Sequence, residues 1–255
     1  MEKFRIPPHK KNSNVRSSAR GTFAIVIPLY NHGPMIGDVT KKALKLNLPV
    51  IVVNDGSTDA GCDRVARGDG IQILHHQENR GKGAAILTGF ARASEIADWA
   101  ITIDADGQHD PEDALHLIEA ISGNSRPIVV GMRQGMAGKH VPWTSRFGRE
   151  FSNFWVRLSG GPRLTDSQSG FRIYPLPEAM NLGVIARRFQ FEVEILVRAA
   201  WTNIPVIEVP IRVRYGKGSQ RMSHFRPFVD FLRNTRTFYQ LITRRLLIHP
   251  FTRKR

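Results

Sequence analysis

Short β-branched runs alternate with amphipathic stretches through the first half of the chain. Five apolar runs, Phe23–Ile27, Val50–Val53, Ile71–Leu74, Trp99–Ile103 and Ile128–Val130, have the length and side-chain type of buried strands. Helical stretches fall between them, at about Met35–Leu46, Asp59–Arg67, Gly83–Ile96 and Pro111–Ile121. Strands alternating with helices predict an α/β fold with a mainly parallel sheet covered on both faces. Right-handed crossovers bring the loops at the carboxyl ends of such strands to one edge, where ligands bind. Three polar motifs fall at those ends: Pro28-Leu-Tyr30-Asn31, Asn54-Asp55-Gly56-Ser57 and Asp104-Ala-Asp106.

The second half is less regular. Trp143–Leu158 reads as a helix with basic residues, Ser169–Tyr174 as a strand and Phe189–Trp201 as a helix. Ile204–Val213 reads as a strand interrupted by Pro210, and Arg214–His224 as a basic, Gly-rich loop. A last helix is expected from about Arg226 to Ile248, with no Gly or Pro between Pro227 and Pro250. The pattern divides the chain into a basic, flexible arm (1–21), a folded domain (22–225) and a C-terminal helix with its tail (226–255). No internal repeat is evident.

Charge narrows the partners. The 255 residues carry a formal net charge of +15, which favours an anionic partner such as a nucleotide sugar, an acidic lipid surface or nucleic acid. The single cysteine, Cys62, excludes an intrachain disulfide and fits a reducing compartment. No run approaches the roughly 18 apolar residues of a membrane span, and the first residues lack the apolar core of a secretion signal. The expected location is cytoplasmic.

The segment Ile101-Thr-Ile-Asp104-Ala-Asp106-Gly-Gln108 holds the chemistry. Side chains two apart on an extended segment point the same way, so Asp104, Asp106 and Gln108 can converge just past a strand. Hard oxygen ligands at that spacing suit Mg²⁺ or Mn²⁺, which keep positions open for phosphate oxygens. A polar turn capping the helix begun by Pro111 is the plain alternative. Asp55 ends a buried-type strand, where it can accept N–H donors from a base, while Gly56 to Asp59 make an ordinary turn and helix cap. Asn79-Arg80-Gly81-Lys82-Gly83 opens a helix rich in small residues, whose N-terminal amides and cations favour phosphate; it is neither a Walker A loop nor a dinucleotide fingerprint. Asp166 lies beside a Gly turn, where it can face an acceptor or order a loop. Glu192 and Glu194, two apart on a helix, point to different faces, so at most one reaches a site.

Taken in order, Pro-x-Tyr-Asn, Asp-Gly-Ser, Asn-x-Gly-Lys-Gly, Asp-Ala-Asp-Gly-Gln and Asp-x-x-x-Gly-Phe-Arg resemble the family 2 glycosyltransferases. The dolichyl-phosphate mannosyltransferase-like branch, in its bacterial form, is the nearest in pattern. The resemblance spans about residues 22–225 and implies a GT-A fold and sugar transfer from a nucleoside diphosphate sugar. It assigns Pro28, Tyr30, Asn31, Asp55, Lys82 and Asp104 to the nucleotide sugar, and Asp104, Asp106 and Gln108 to the metal. Asp106, Asp166, Arg133 and Arg214 are the candidates for the reacting centre. Arg146, Ser169, Arg212, Lys217 and Arg221 fall in segments that approach the acceptor. His32 stands where the family often has Glu, and Asn54 where it has Asp.

The implied reaction is an in-line displacement that inverts the anomeric carbon. A lipid phosphate acceptor, such as a polyprenyl phosphate, is already ionised and needs positioning by arginines rather than a base. A hydroxyl acceptor on a glycolipid or glycan would need a base, with Asp166, Glu192 and Glu194 as candidates. In the last helix Phe228, Phe231, Leu232, Phe238, Tyr239, Ile242 and Leu246 fall roughly on one stripe, with Arg233, Arg236, Arg244 and Arg245 largely off it. Such a helix suits peripheral attachment to an anionic membrane surface, although core packing or a membrane-protein partner also accounts for it. A nucleic-acid-binding module rests on charge alone, since no recognition motif appears and paired carboxylates repel phosphate. A nucleotidyltransferase would carry an early Gly-rich basic loop, which is missing.

Overall fold

The computed structural model describes residues 21–134, 143–213 and 227–248. Seven strands form one sheet: β1 (Phe23–Leu29), β2 (Val50–Asp55), β3 (Ile71–His76), β4 (Trp99–Thr102), β5 (Ile128–Arg133), β6 (Arg172–Pro175) and β7 (Val206–Ile211). Their order is β3-β2-β1-β4-β6-β5-β7. All pairs are parallel except those of β6, which runs antiparallel to both β4 and β5. The parallel pairings put the carboxyl ends of β1, β2 and β4 together at one edge, as the alternation of elements predicts.

The helices are α1 (Gly33–Leu44), α2 (Lys82–Ala93), α3 (Ala114–Glu119), α4 (Trp143–Leu158), α5 (Phe191–Trp201) and α6 (Pro227–Ile248). Alternation in β1 shows how the layers form. Phe23, Ile25, Ile27 and Leu29 enter one core with Ile36 and Val39 of α1 and Leu117 of α3. Ala24 and Val26 enter the opposite core with Ile86 and Phe90 of α2 and Phe191 and Ile195 of α5. A sheet buried on both faces needs apolar side chains at successive positions, which is why its strands read as continuous runs.

Several segments depart from the sequence pattern. Asp59–Arg67 makes only a 3₁₀ turn at Cys62–Arg64, because Asp59 spends its carboxylate on the N–H groups of Gly33 and Gly61 and fixes an irregular loop. Pro111–Ile121 splits into a 3₁₀ turn, Pro111–Asp113, and the short α3. Pro210 lies inside β7 rather than interrupting it. β7 pairs only with β5, so the missing N–H of an edge-strand proline costs no ladder bond.

The last helix also differs from the stripe read along it. Phe238 and Leu241 are buried with Val156 of α4 and Val193 and Val197 of α5, and Phe238 stacks on Trp155 at 5.9 Å. Tyr239 and Leu246, expected on the same face, are 71% and 69% exposed. One face of α6 is therefore core, and the exposed apolar residues lie beside it. Phe228, Phe231 and Leu232 lie outside the described side chains.

Candidate active site

Four loops meet at the carboxyl ends of β1, β2 and β4. Asn31, just past β1, takes a left-handed backbone (φ 53°), which Asn tolerates better than most residues. Its Oδ1 accepts from the Thr58 N–H at 2.8 Å, and its own N–H donates to Ser57 Oγ at 3.1 Å. Asn31 thereby ties the β1 loop to the β2 loop. Asn54 accepts the Ser57 N–H at 2.9 Å. Gly56 has φ 69°, and a Cβ there would lie 2.6 Å from the backbone of Glu78, so the β2 and β3 loops touch.

Asp55 is buried, and its own chain occupies its carboxylate. Oδ1 accepts from the Arg80 N–H at 2.9 Å and from His76 Nδ1 at 2.7 Å, and Oδ2 accepts the Gly81 N–H at 2.7 Å. A carboxylate only accepts, so His76 Nδ1 carries the hydrogen. On the far side of the ring, Nε2 lies 2.9 Å from Thr88 Oγ1 on α2. In this geometry Asp55 holds the Arg80–Gly81 loop. The start of α2 is also partly occupied, because the Ala84 N–H donates to Arg187 O at 2.9 Å.

Lys82 stands between two acids. Its Nζ lies 2.6 Å from Asp104 Oδ1 and 2.5 Å from Glu192 Oε1. Burial disfavours the ammonium, but the two carboxylates outweigh it and hold its pKa above the ordinary lysine value. Burial likewise opposes the Asp104 carboxylate, and Lys82 overrides it, so Asp104 titrates below the usual range. Glu192 and Glu194 diverge as their spacing requires. Glu194 accepts from the N–H groups of Ile185 and Ala186 and pairs with Arg198, away from the cluster. The backbone of Gly170 abuts this pair: a Cβ there would overlap Asp104 Oδ2 and lie 2.7 Å from Lys82 Nζ.

Asp106 has no such partner among the described residues. Its Oδ1 accepts the Gln108 N–H at 3.0 Å. Burial and the neighbouring Asp104 charge push its pKa up to about 6, against the pull of the Gln108 N–H, Lys82 and Arg133. His109 follows, its ring 5.6 Å from that of Phe171. Burial depresses its pKa to about 4, and its buried Nδ1 has no hydrogen-bond partner among the described residues.

On the other flank Arg133 and Asp166 form a two-point pair, Nε to Oδ2 at 2.7 Å and Nη2 to Oδ1 at 2.8 Å. Burial opposes the Asp166 carboxylate, but Arg133 keeps its pKa low. A fully buried carboxylate engaged this way orders the arginine and is a poor proton acceptor. Arg172, fully buried, donates to the carbonyls of Ser167, Ser169 and Glu192. It locks the 167–170 loop to the start of α5, which is why β6 begins at Arg172 and not at Ser169. Ser169, within this loop, is buried, with its Oγ unpartnered among the described residues.

The expected acceptor residues are dispersed. Arg146 lies exposed on α4. The α4 arginine whose charge reaches Asp166 is Arg149, one turn further on, and its buried Nε has no partner among the described residues. Arg212 is exposed, and its N–H donates to Asp113 Oδ2 at 3.2 Å. Arg214, Lys217 and Arg221 lie outside the described residues. Pro28 and Tyr30 are half-buried at the end of β1. Reading the sequence alone assigned no role to His76, His109, Arg149 or Arg172. His109 stands next to Gln108 and Arg172 ends the Asp-x-x-x-Gly-Phe-Arg motif, so both were in view, whereas His76 and Arg149 gain meaning from contacts distant in sequence.

The donor set suits a divalent cation. Lys82 pairs with Asp104 and Glu192, and no ion pair forms with Asp106 among the described residues; burial first, and then the Asp104 charge, raise its pKa. Among the described residues no three His, Cys, Asp or Glu side chains form a closed metal cluster. Asp104 and Asp106, with Gln108 two positions on, are the residues that could hold such an ion while leaving positions for phosphate oxygens.

Residues 24–176 match the family described as glycosyl transferase family 2. The chain is a family 2 glycosyltransferase. It is 31% identical to a UDP-N-acetylglucosamine–dolichyl-phosphate N-acetylglucosaminyltransferase of Methanococcus voltae, over 82% of this chain and 94% of that one. It is 32% identical to the undecaprenyl-phosphate mannosyltransferase of Micrococcus luteus, over 78% of this chain and 86% of the other. These relatives place the glycosyltransferase in the dolichyl-phosphate mannosyltransferase-like branch. In fold it resembles glucosyl-3-phosphoglycerate synthase of Mycobacterium tuberculosis, solved with Mn²⁺, UDP and glucosyl-3-phosphoglycerate. That likeness has a TM-score of 0.66 at 19% identity and covers 88% of this chain and 80% of the other. The GT-A architecture expected from the motifs is thus the one observed.

Proposed function

We propose that this enzyme transfers a sugar from a nucleoside diphosphate sugar to a polyprenyl phosphate, with Mg²⁺ or Mn²⁺ bound at the carboxylate cluster. The observation that carries the reading is the unequal pair at the end of β4, Asp104 bonded to Lys82 and Asp106 without an ion pair among the described residues. Names of relatives that act on dolichyl or undecaprenyl phosphate support the acceptor class.

Asp104, Asp106 and Gln108 would hold the metal, which supplies positive charge against the departing diphosphate. Lys82 keeps Asp104 ionised and fixes its orientation, with Glu192 as the counter-anchor. Asp55 and His76 hold the Arg80–Gly81 loop at the edge of the donor pocket, and Asn31 joins the loops of β1 and β2. A lipid phosphate is ionised at neutral pH, so no group has to remove a proton. The acidic side chains available for that task, Asp166 and Glu192, are both committed to cations, which favours the phosphate acceptor over a hydroxyl. Arg133, oriented by Asp166, and Arg149 on α4 supply positive charge on the acceptor side. Attack opposite the diphosphate inverts the anomeric carbon.

The test is a panel of nucleotide sugars with purified enzyme, Mn²⁺ and detergent-dispersed undecaprenyl phosphate, with sugar followed into the lipid extract. Label should reach a lipid that mild acid cleaves to free sugar, and chelator should stop transfer. Turnover in excess chelator would remove the metal, and transfer only to hydroxyl acceptors would remove the lipid phosphate.

A further inference from the structure

We propose that Glu208, in the middle of β7, is a positioning residue for sugar transfer: it fixes the backbone of Asp166 and, through it, the aim of the Arg133 guanidinium. β7 is an edge strand whose side chains divide between two cores. Ile207 and Val209 pack on the first core and Val206 on the second. Glu208 takes the next position on the second face, so a carboxylate stands where the period-two pattern calls for an apolar side chain. It is half-buried, and burying a carboxylate is costly unless its oxygens are bonded. Neutral donors of one loop do that. Oε1 and Oε2 each lie 2.9 Å from the Thr165 N–H nitrogen and 3.1 and 3.0 Å from Thr165 Oγ1. Oε1 also accepts from the Asp166 N–H at 2.9 Å. Bonds from N–H groups to an ionised carboxylate are stronger than bonds between neutral groups.

These contacts close a ring. Arg133, the last residue of β5, lies opposite Ile211 of β7, and the Gln134 N–H donates to Ile211 O at 3.0 Å. The Arg133 side chain runs to the Asp166 carboxylate, and the Arg133 N–H adds a further bond at 3.2 Å. Asp166 returns to β7 through its own N–H and Glu208, three residues before Ile211. Two other side chains grip the same loop. Asn153 of α4 bonds to Thr165 O and the Ser167 N–H, and Arg172 bonds to the carbonyls of Ser167 and Ser169. Of these three side chains Glu208 is the one that bonds to Asp166 itself.

The ring matters because arginine is long and has many rotamers. A guanidinium fixed in advance loses little freedom when substrate arrives. The Arg133 charge acts on both Asp106 and His109, so its displacement is felt where the transfer takes place. The inference rests on the reading that puts Arg133 on the acceptor side for its kinetics, but not for its spectroscopic test.

Full-length Glu208→Ala should lose about tenfold or more in kcat/KM for undecaprenyl phosphate in detergent, while its affinity for the nucleoside diphosphate with Mn²⁺ stays that of the wild type. Glu208→Gln should keep most of the activity. Its amide oxygen still accepts both N–H groups, and the Thr165 hydroxyl can turn to accept from the amide nitrogen. In an Arg133→Ala background Glu208→Ala should cost nothing further, since residues that act through one another are not additive. The side-chain Nε–H resonance of Arg133, assigned by its loss in Arg133→Lys, should shift or broaden in Glu208→Ala and keep its place in Glu208→Gln. Should Glu208→Ala fail to fold, Glu208→Asp, with the same charge and one methylene less reach, replaces it in each measurement. A lower melting temperature with kcat/KM unchanged, additive losses with Arg133→Ala, or an unmoved Arg133 resonance overturns the proposal. Absence of transfer in the wild type would defeat the acceptor assignment instead, and the resonance then decides the positioning role by itself.

Discussion

Replacing Asp106 by Asn should make the metal-free enzyme more stable at neutral pH while removing its activity. The Asp106 carboxyl titrates at about 6 in the folded protein against 3.8 for an unperturbed group. Each pH unit of that difference corresponds to about 1.4 kcal/mol, so ionising Asp106 in the fold costs at most about 3 kcal/mol. Relaxation and solvent at the rim of the site reduce this to about 2 kcal/mol. The sign follows from the raised pKa. Below about pH 4 the carboxyl is protonated folded and unfolded, and it costs nothing. As pH rises through about 6 the folded form must ionise against Asp104, and stability is lost. Asn never ionises, so its advantage opens between about pH 4 and pH 6 and is constant above about pH 7. For a chain of this size about 2 kcal/mol corresponds to roughly 4–8 °C in melting temperature. Thermal melts of both proteins in chelator, at pH 4 and at pH 8, measure the gap. Adding Mn²⁺ should reverse the order, because the wild type gains metal-binding free energy that the variant lacks. An Asn variant that melts at or below the wild type at pH 8 in chelator, or an equal gap at both pH values, would refute the reasoning.

Lys82→Met should destabilise the fold by about 3–5 kcal/mol, because it leaves Asp104 and Glu192 buried without a cation; denaturant titration reads this directly. Gly170→Ala should cut transfer at least tenfold with a small change in melting temperature, since its methyl would displace Asp104 and Lys82. Phe238→Ala should cost about 3–5 kcal/mol of stability, because α6 contributes to the core; a melt equal to the wild type would make α6 a detachable appendage.

The sheet was legible in the sequence because most of its strands are buried on both faces, and runs such as Val50–Val53 have no other use. β6 was harder to read. The segment before it is held as a loop by Arg172, which bonds to Ser167, Ser169 and the distant Glu192. The carboxylates at the end of β4 were legible because period-two spacing aligns Asp104 with Asp106. Their different states were not, since Lys82 and Glu192 arrive from segments 22 residues before Asp104 and 88 residues after it. Asp55 shows the same limit. Its place at a strand end suggested a ligand contact, and its bonds to His76, Arg80 and Gly81 add a loop-anchoring role that the sequence did not show. On α6 the apolar residues were visible, but their division between core and surface depends on where α4 and α5 pack.

The most direct measurement is anomalous diffraction from crystals of the enzyme soaked with Mn²⁺ and the nucleoside diphosphate that its donor panel identifies. A manganese peak beside Asp106, with diphosphate oxygens on its open side and Lys82 still joined to Asp104, is the expected result. A nucleotide bound away from the ends of β1, β2 and β4, or manganese held elsewhere while Asp106 stays without a cation, would contradict it.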